Sequence, residues 1–363
     1  MKKGFTLVEL LAVIVILGVL ALITFPIIDG TIKNSKEKAL ASTIKSIEDA
    51  AYNYSTKNDI GYQTYYKKIT LDELAKSGLL DNEIINPVTN NKMNGCILYK
   101  WVEEYKQYEF KYDEECNNTV PDSISFAEDS WETIHTIVEM GLASDFYNVG
   151  DEKEITLDGY TNGSESTFTV RIANIETPAE CETGGFSQTA CGFVVEFVDI
   201  ITTHVMNSNS LKEGGWPASE MYSFVNNDIY SALPSDLQEF IINTYSISGH
   251  DSDDLTNFSS TDKLYLLSTK EVWGKEGTSN AIIYDTAEAE TRQLDYYKNN
   301  GVTTSSYLAA VKTYQGRAQY WWLRAINPYP GYGGFFYNVN LSGIWGSIGA
   351  FNTLGLAPAF RIG

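Results

Sequence analysis

Few side chains in this sequence have the types and spacing that catalysis or metal binding requires. There are three His residues, all far apart, so a His-based metal site and His-driven acid–base catalysis are both disfavoured. Asp251, Asp253 and Asp254 have the composition of a calcium loop, but no Gly or distal Glu stands where an EF-hand needs it. We favour a solvated acidic loop there and expect no metal or cofactor, with calcium as the alternative.

His204 and Arg324 lie beside apolar segments, where a catalytic pocket could form. No nucleophile or paired carboxylate accompanies them at a spacing typical of a catalytic site, so we expect structural hydrogen bonds and no enzymatic activity. The chain carries 47 Asp and Glu residues against 26 Lys and Arg residues, a net charge of −21. Because such a chain cannot neutralise a phosphate backbone, nucleic acid is not expected as a partner.

The elements that position functional groups begin with an apolar run at the amino terminus. Residues 10–28 carry no charge and are about as long as a helix that crosses a bilayer, and Lys2 and Lys3 precede them. Glu9 stands at the start of this run, where a carboxylate is costly unless it has a partner. The pattern predicts a membrane segment with one carboxylate that needs an interaction partner.

Residues 2–10, KKGFTLVEL, resemble the prepilin signature of type IV pilins and pseudopilins. The resemblance implies that a prepilin peptidase cleaves between Gly4 and Phe5 and that the new amino terminus is methylated. It also implies that residues 5–28 anchor the chain in the membrane and later form the filament core. Glu9 would then meet the amino terminus of a neighbouring subunit, which satisfies the buried carboxylate. A plain membrane anchor is the alternative.

The helix is expected to continue beyond the apolar run, because apolar residues recur at helical spacing as far as about Lys57. It is predicted to lie on a small sheet formed by a pilin head over residues 58–118. Within that head, residues 96–116 contain two aromatic-rich segments that indicate a β-hairpin.

The four cysteines fall into two local pairs, Cys96 with Cys116 and Cys181 with Cys191. In an exported chain this arrangement predicts two disulfides, each stabilising the fold by roughly 2–4 kcal/mol. Buried free thiols are the alternative. A four-Cys zinc site would need ligand spacings that this chain lacks.

A polar linker is predicted over residues 119–128, followed by a second domain over residues 129–363 with short helices and strands, one of them at residues 263–269. The predicted class is α+β. After a leader of residues 1–4, a long N-terminal pilin helix over residues 5–57 packs on a small antiparallel sheet, and the second domain follows.

Segments of the second domain resemble a domain common in Gram-positive surface proteins, related to the C-type-lectin-like fold of formylglycine-generating-enzyme type. They are GGW at residues 214–216, WWLR at 321–324 and GLAPAF at 355–360. The resemblance implies a C-type-lectin-like α+β ligand-binding domain. Enzymes of that superfamily use copper-binding cysteines, and the two cysteines here share one short loop, so that activity is not implied.

Relatives of this fold serve as the variable ligand-binding proteins of diversity-generating retroelements, whose C-terminal codons are mutated at adenines. Most of residues 338–354 are of types reachable from the codon AAC, but a Gly- and Ser-rich loop has the same composition, so active diversification is left open. The expected ligand-binding residues are Tyr337, Asn338, Asn340, Leu341, Ser342, Ile344, Trp345, Gly346, Ser347, Ile348, Phe351, Asn352 and Leu354.

The apolar side chains in this stretch support the predicted binding site independently of the resemblance. Leu341, Ile344, Ile348, Phe351 and Leu354 would form an apolar patch if they were exposed together, and such a patch usually marks a binding site. Tyr337 and Trp345 would be rigid anchors within it. The alternative is that these side chains fill the domain core.

Taken together, the sequence predicts a type IV pilin-like surface subunit that displays a lectin-like domain for adhesion or ligand capture. Its expected partners are other pilin subunits, prepilin peptidase, the membrane through residues 5–28, and an extracellular protein or glycan. It is expected in the cell membrane before assembly and then in an extracellular pilus or on the cell surface of a Gram-positive bacterium. The alternatives are a structural pilus or pseudopilus subunit without a specific ligand, and a membrane-tethered enzyme of unknown reaction.

Overall fold

The chain divides between Val120 and Pro121 into two units in the computed structural model of the protein. The structure describes residues 7–58, 60, 65–102, 105–116, 120–121, 123–161, 166–274, 285–329 and 333–363, with only the backbone of residues 18 and 20–31. The expected leader and the cleavage site between Gly4 and Phe5 lie outside the described residues.

The first unit places a long helix on a three-stranded antiparallel sheet of order β1–β2–β3. Its elements are α1 (Leu7–Lys57), β1 (Lys67–Thr70), α2 (Leu71–Lys76), β2 (Cys96–Val102) and β3 (Gln107–Asp113). Ile47 and Ala51 of α1 share one buried apolar cluster with Ile97 of β2. The backbone N–H of Tyr112 donates to Glu48 Oε1 at 3.1 Å, which also ties α1 to the sheet. The apolar stripe in the second half of α1 therefore faces the sheet.

Both predicted disulfides are present, one in each unit. Cys96 is bonded to Cys116 and Cys181 to Cys191, with Cα–Cα distances of 5.7 and 5.9 Å. The first disulfide joins the start of β2 to the chain just beyond β3, and the second closes a short loop.

The second unit combines short helices with several small sheets. Its helices are α3 (Trp131–Glu139), α4 (Ala143–Phe146), α5 (Glu220–Ser223), α6 (Tyr230–Ala232), α7 (Ser235–Phe240), α8 (Thr269–Trp273) and α9 (Asp295–Asn299), with a π-helical segment, Phe224–Ile229, between α5 and α6. Its strands are β4 (Glu152–Thr156), β5 (Thr167–Asn174), β6 (Val194–Phe197), β7 (Thr202–Val205), β8 (Thr244–Ser248), β9 (Phe258–Asp262), β10 (Lys312–Tyr314), β11 (Arg317–Gln319), β12 (Trp321–Ile326), β13 (Phe335–Val339), β14 (Trp345–Gly349), β15 (Thr353–Leu356) and β16 (Ala359–Arg361).

The largest sheet has the order β14–β13–β12–β15–β7, with a parallel pair at β12 and β15 and antiparallel pairs elsewhere. A second, antiparallel sheet has the order β16–β6–β5–β4, and β8–β9 and β10–β11 form two-stranded ribbons. All of β12 is buried because it lies in the middle of the largest sheet. Its indole groups are satisfied there: Trp322 Nε1 donates to His204 O at 2.9 Å and Trp321 Nε1 to Ala310 O at 3.1 Å.

The predicted α+β class is confirmed, whereas the C-type-lectin-like fold stays a prediction. One strand prediction is wrong: residues 263–268 lie outside the strands, with a β-bridge from Tyr265 to Ala359, and Thr269 begins α8. The segment forms no continuous ladder with a neighbouring strand, because its next two carbonyls both bond to one residue. The carbonyls of Leu266 and Leu267 accept hydrogen bonds from the side chain and the backbone N–H of Arg324.

Candidate ligand-binding surface

The candidate surface is built on the antiparallel hairpin of β13 and β14. Val339 pairs with Trp345 at one end of the hairpin and Phe335 with Gly349 at the other. β14 is the edge strand of its sheet, and β13 lies between β14 and β12. An edge strand leaves one row of backbone N–H and C=O groups without a strand partner, whereas side-chain exposure depends on what covers the two faces of the sheet.

A side-chain-stabilised turn connects the two strands. Asn340 Oδ1 accepts the backbone N–H groups of Ser342 at 2.9 Å and Ile344 at 3.1 Å. Gly343 has a φ of 84°, and a Cβ there would lie 2.1 Å from Tyr307 O, so only glycine fits. The turn therefore has one defined conformation, with the Leu341 side chain 46% exposed.

A second turn follows β14 and is equally well defined. Asn352 Nδ2 donates to Gly349 O at 2.8 Å, and the backbone N–H of Ala350 donates to Gly334 O at 2.9 Å. A Cβ on Gly349 would lie 2.8 Å from the Phe351 ring, so the missing side chain leaves room for that ring. The Phe351 side chain is 55% exposed.

Between the turns, Trp345 is held against the unit by its neighbours. Its ring meets the buried Tyr337 ring edge to face, with centroids 6.1 Å apart. Asn327 Nδ2 donates to Ser347 Oγ at 2.8 Å, which fixes the middle of β14. A partly exposed indole on a rigid strand provides contact area at low cost in conformational entropy.

The structure separates the predicted ligand-binding residues into two groups. Leu341, Ser342 and Phe351 are exposed, and the partly exposed residues are Asn340, Ile344, Trp345, Gly346, Ser347, Ile348 and Asn352. We call this set of ten residues the β14 surface.

The expected exposure is wrong for Tyr337, Asn338 and Leu354, which are 1%, 3% and 8% exposed. Tyr337 and Asn338 belong to β13, which has a strand on each side. Leu354 belongs to β15, which lies between β12 and β7. These three side chains pack in the unit and are not available as contact residues.

The β14 surface lies in a stretch without formal charge. Between Arg324 and Arg361 the sequence contains no Asp, Glu, Lys, Arg or His residue, although the whole chain has a net charge of −21. The chemistry that such a surface offers is apolar and aromatic contact together with hydrogen bonds from Ser and Asn side chains. An uncharged protein face or a glycan has matching groups.

Some charged groups in the second unit are buried and paired inside the fold. Glu196 pairs with Arg171 at 2.8 Å and with Lys312 at 3.1 Å, and it accepts a hydrogen bond from Tyr297 at 2.9 Å. Burial by itself would raise the pKa of Glu196, but the two cations hold it below its usual value. Burial lowers the pKa of Lys312 to about 8. Sequence reasoning did not identify this network, although a lone Glu in the apolar strand VVEF was a usable signal.

The acidic loop of Asp251, Asp253 and Asp254 is neutralised in part by a lysine from another segment. The Lys212 ammonium pairs with both Asp251 and Asp253. Asp251 Oδ1 also accepts the backbone N–H groups of Asp253 and Asp254. Among the described residues, no group of three or more His, Cys, Asp or Glu side chains is placed to hold a metal ion.

At the other end of the chain, Glu9 lies in the first turns of α1. Apolar side chains around it are largely exposed, including Leu7 at 81% and Val8 at 73%. Within the described residues, no helix is both long and apolar enough to cross a membrane.

Comparison with known families gives three matches to parts of the chain. Residues 1–25 match the prokaryotic N-terminal methylation motif, and residues 196–363 match a domain of unknown function, DUF6273. Residues 60–164 match a family described as a DNA transporter, but that range crosses the boundary between the two units at Val120. Neither the curated proteins nor the solved structures contain a match to the chain.

The first match supports a type IV pilin-like signature at the amino terminus. The motif is consistent with processing at the membrane and with association with other pilin subunits. The domain match covers the β14 surface and most of the second unit, and its description assigns no activity to it.

Proposed function

We propose that this protein is a type IV pilin-like subunit that presents the β14 surface for binding outside the cell. The observation that carries the proposal is the N-terminal methylation motif over residues 1–25, which includes the first part of α1 with its exposed apolar side chains. In a filament, that part of α1 packs against copies of itself, and residues 5–28 hold the subunit in the membrane before assembly. The second half of α1 instead packs on the sheet of its own unit.

The second unit supplies the recognition role. Leu341 and Phe351 are exposed apolar side chains at the two ends of an edge strand, and Trp345 lies between them. Exposed apolar groups on rigid turns are more useful for binding than for folding, because they contribute little to the core. We propose an uncharged ligand, a glycan or a neutral protein face, and a lectin-like, non-enzymatic role in adhesion or ligand capture.

A structural subunit without a ligand is the second candidate. It is favoured by the burial of Tyr337, Asn338 and Leu354, which makes the β14 surface smaller than the sequence suggested. DNA transport, which belongs to the description of one matched family, is not proposed here because a net charge of −21 opposes phosphate binding.

Surface filaments sheared from the cells should contain this protein, and they should bind to one or more members of a glycan array or a panel of matrix proteins. The variant Leu341→Ser with Phe351→Ser should assemble normally and lose that binding by at least about tenfold. The matched control is Leu255→Ser, an exposed leucine outside the β14 surface. Equal binding by both variants would favour the structural subunit.

A further inference from the structure

The outer edge of β14 presents backbone groups that the fold leaves unpaired. In an antiparallel pair, alternate residues direct their N–H and C=O groups toward the partner strand. The backbone N–H of Asn340 donates to Ile344 O at 2.8 Å, so Ile344 belongs to the row that faces β13. Trp345 and Ser347 belong to the other row and direct their backbone groups away from β13. Within the described part of the chain, those groups have no hydrogen-bond partner.

β14 also lacks the features that usually protect an edge strand. Natural edge strands are commonly blocked by charged side chains or by proline, which prevent pairing with another chain. The edge strands β1, β3, β4 and β16 each contain at least one Lys, Arg, Asp or Glu residue. β14 has the sequence WGSIG, with neither a charge nor a proline. Its edge can therefore accept an added strand.

The side chains beside this edge restrict what the added strand can carry. Trp345 and Ser347 lie on one face of β14 and Ile348 on the other, and all three are partly exposed. No Asp, Glu, Lys, Arg or His residue stands between Arg324 and Arg361. A charged side chain on the added strand would lose hydration here without gaining a counter-charge from this stretch. The edge therefore favours a strand of uncharged side chains.

A second copy of β14 fits this edge less well than a strand of another protein. Two antiparallel copies centred on Ser347 would pair Trp345 of each copy with Gly349 of the other. Gly349 O already accepts two hydrogen bonds from Asn352, through its backbone N–H at 3.0 Å and through Nδ2 at 2.8 Å. Each chain also has a net charge of −21, so two copies repel each other.

We propose that the β14 surface binds an extended, uncharged segment of another protein, which pairs with β14 as an additional strand of the largest sheet. The backbone groups of Trp345 and Ser347 hydrogen-bond to the main chain of that segment, and the side chains of the β14 surface contact its alternate side chains. The inference rests on the proposed function, because it names the class of ligand that this surface takes.

Peptide selection on the full-length protein in mild detergent tests the inference. A phage-displayed library of random nonapeptides should yield sequences rich in Val, Ile, Thr and Tyr and poor in charged residues. N-methylation of one alternate set of backbone amides in a synthetic copy should weaken binding at least about tenfold, because those amides face β14. Methylation of the other set should be tolerated. This comparison needs no variant of the protein to fold.

A proline on the edge gives a second test. Ser347→Pro should weaken binding of the same peptides at least about tenfold, since it removes a backbone N–H that faces the added strand. Glu154→Pro on the edge strand β4 is the matched control and should keep the binding. The backbone N–H of Ile172 donates to Asp151 O at 3.0 Å, which places Glu154 in the outward row of β4.

Equal binding of peptides methylated on either set, or equal binding by the two proline variants, would overturn strand pairing. If no peptide is selected while sheared filaments bind a glycan through Leu341 and Phe351, the strand partner is wrong and the proposed function stands. If the filaments bind nothing, the proposed function fails as well. Dimers of the full chain that are lost in Ser347→Pro would contradict the proposal and make a second copy the partner.

Discussion

Arg324 and Glu271 form a two-point ion pair that is completely buried. Arg324 Nη1 donates to Glu271 Oε2 at 2.7 Å, and Nη2 donates to Oε1 at 2.6 Å. Burial by itself would raise the pKa of Glu271, but Arg324 lowers it below its usual value. The pair connects α8 to the middle strand of the largest sheet, so it fixes the interior from which the β14 surface is built.

Removing the carboxylate from this pair should destabilise the second unit strongly. Glu271→Gln leaves the Arg324 guanidinium buried without a counter-charge, which should lower the free energy of unfolding by about 3–5 kcal/mol. Urea denaturation followed by tryptophan fluorescence measures the change. Arg317→Gln, on an exposed position of β11, is the control and should stay within about 0.5 kcal/mol of the parent protein. A Glu271→Gln value as small as the control value would contradict the assigned pairing.

The exposed and buried members of the predicted ligand-binding set should respond differently to truncation. Leu341→Ser and Phe351→Ser should each change the free energy of unfolding by no more than about 0.5 kcal/mol, since both side chains are largely in solvent. Leu354→Ser should lower it by about 2–5 kcal/mol, because that side chain is in the core. The same denaturation assay compares all three. If the first two cost as much as the third, the β14 surface is part of the core.

Lys312 should give the second unit a measurable dependence on alkaline pH. Its pKa is lowered by burial from 10.5 to about 8, although Glu196 opposes this shift. Between about pH 8 and pH 10.5 the unfolded state therefore binds more protons than the folded state, and the free energy of unfolding rises with pH. The expected rise is about 2 kcal/mol between about pH 7 and pH 10.

Lys312→Met should remove this rise, and Lys298→Met, at an exposed position of α9, should keep it. Chemical denaturation at several pH values up to about pH 10 is the measurement. Above that pH, the raised pKa values of the buried Tyr265 and Tyr297 also change the free energy of unfolding. A flat profile in the parent protein would mean that Lys312 keeps its ordinary pKa in the fold.

The sequence was sufficient where a local pattern decides the structure. Helical spacing predicted the end of α1 at Lys57, and the spacing of the cysteines predicted both disulfides. The hairpin of β2 and β3 followed from two aromatic-rich segments around a polar turn. In each case, residues near one another in the sequence determine the structural feature.

Predictions failed where packing on the faces of a sheet decides exposure. Tyr337 and its neighbour Asn338 point to opposite faces of β13 and are both buried, whereas Leu341 is exposed in the turn that follows. The layers that cover a sheet come from distant segments, so local composition does not reveal them. The local composition of residues 263–269 predicts a strand for the same reason, whereas the carbonyls of Leu266 and Leu267 both bond to Arg324.

Lone charges within apolar strands were an overlooked signal. Arg171, Glu196 and Arg324 are each the only charged residue of their strand, and each is buried and paired. A charged residue survives in such a position only with a partner, so these residues could have been predicted to form interior ion pairs. The identity of the partners still depends on the tertiary fold.

Assembly should depend on the carboxylate at the start of α1. Glu9→Val should insert into the membrane as well as the parent protein and should reduce surface filaments at least about tenfold, since the partner amino terminus of the next subunit loses its counter-charge. Electron microscopy and immunoblots of sheared filaments measure this. Glu37→Val, an exposed glutamate on the same helix, is the matched control. Normal filament yield from Glu9→Val would count against an assembly role for Glu9.

Mass spectrometry of the amino-terminal peptide of the protein isolated from the cell surface tests the pilin-like assignment most directly. The methylation motif over residues 1–25 predicts a mature chain that begins with methylated Phe5, after removal of the four preceding residues. Deletion of the prepilin peptidase should leave the uncleaved form. An intact Met1 in the wild-type surface protein, or an amino terminus beyond Ile28, would contradict the assignment.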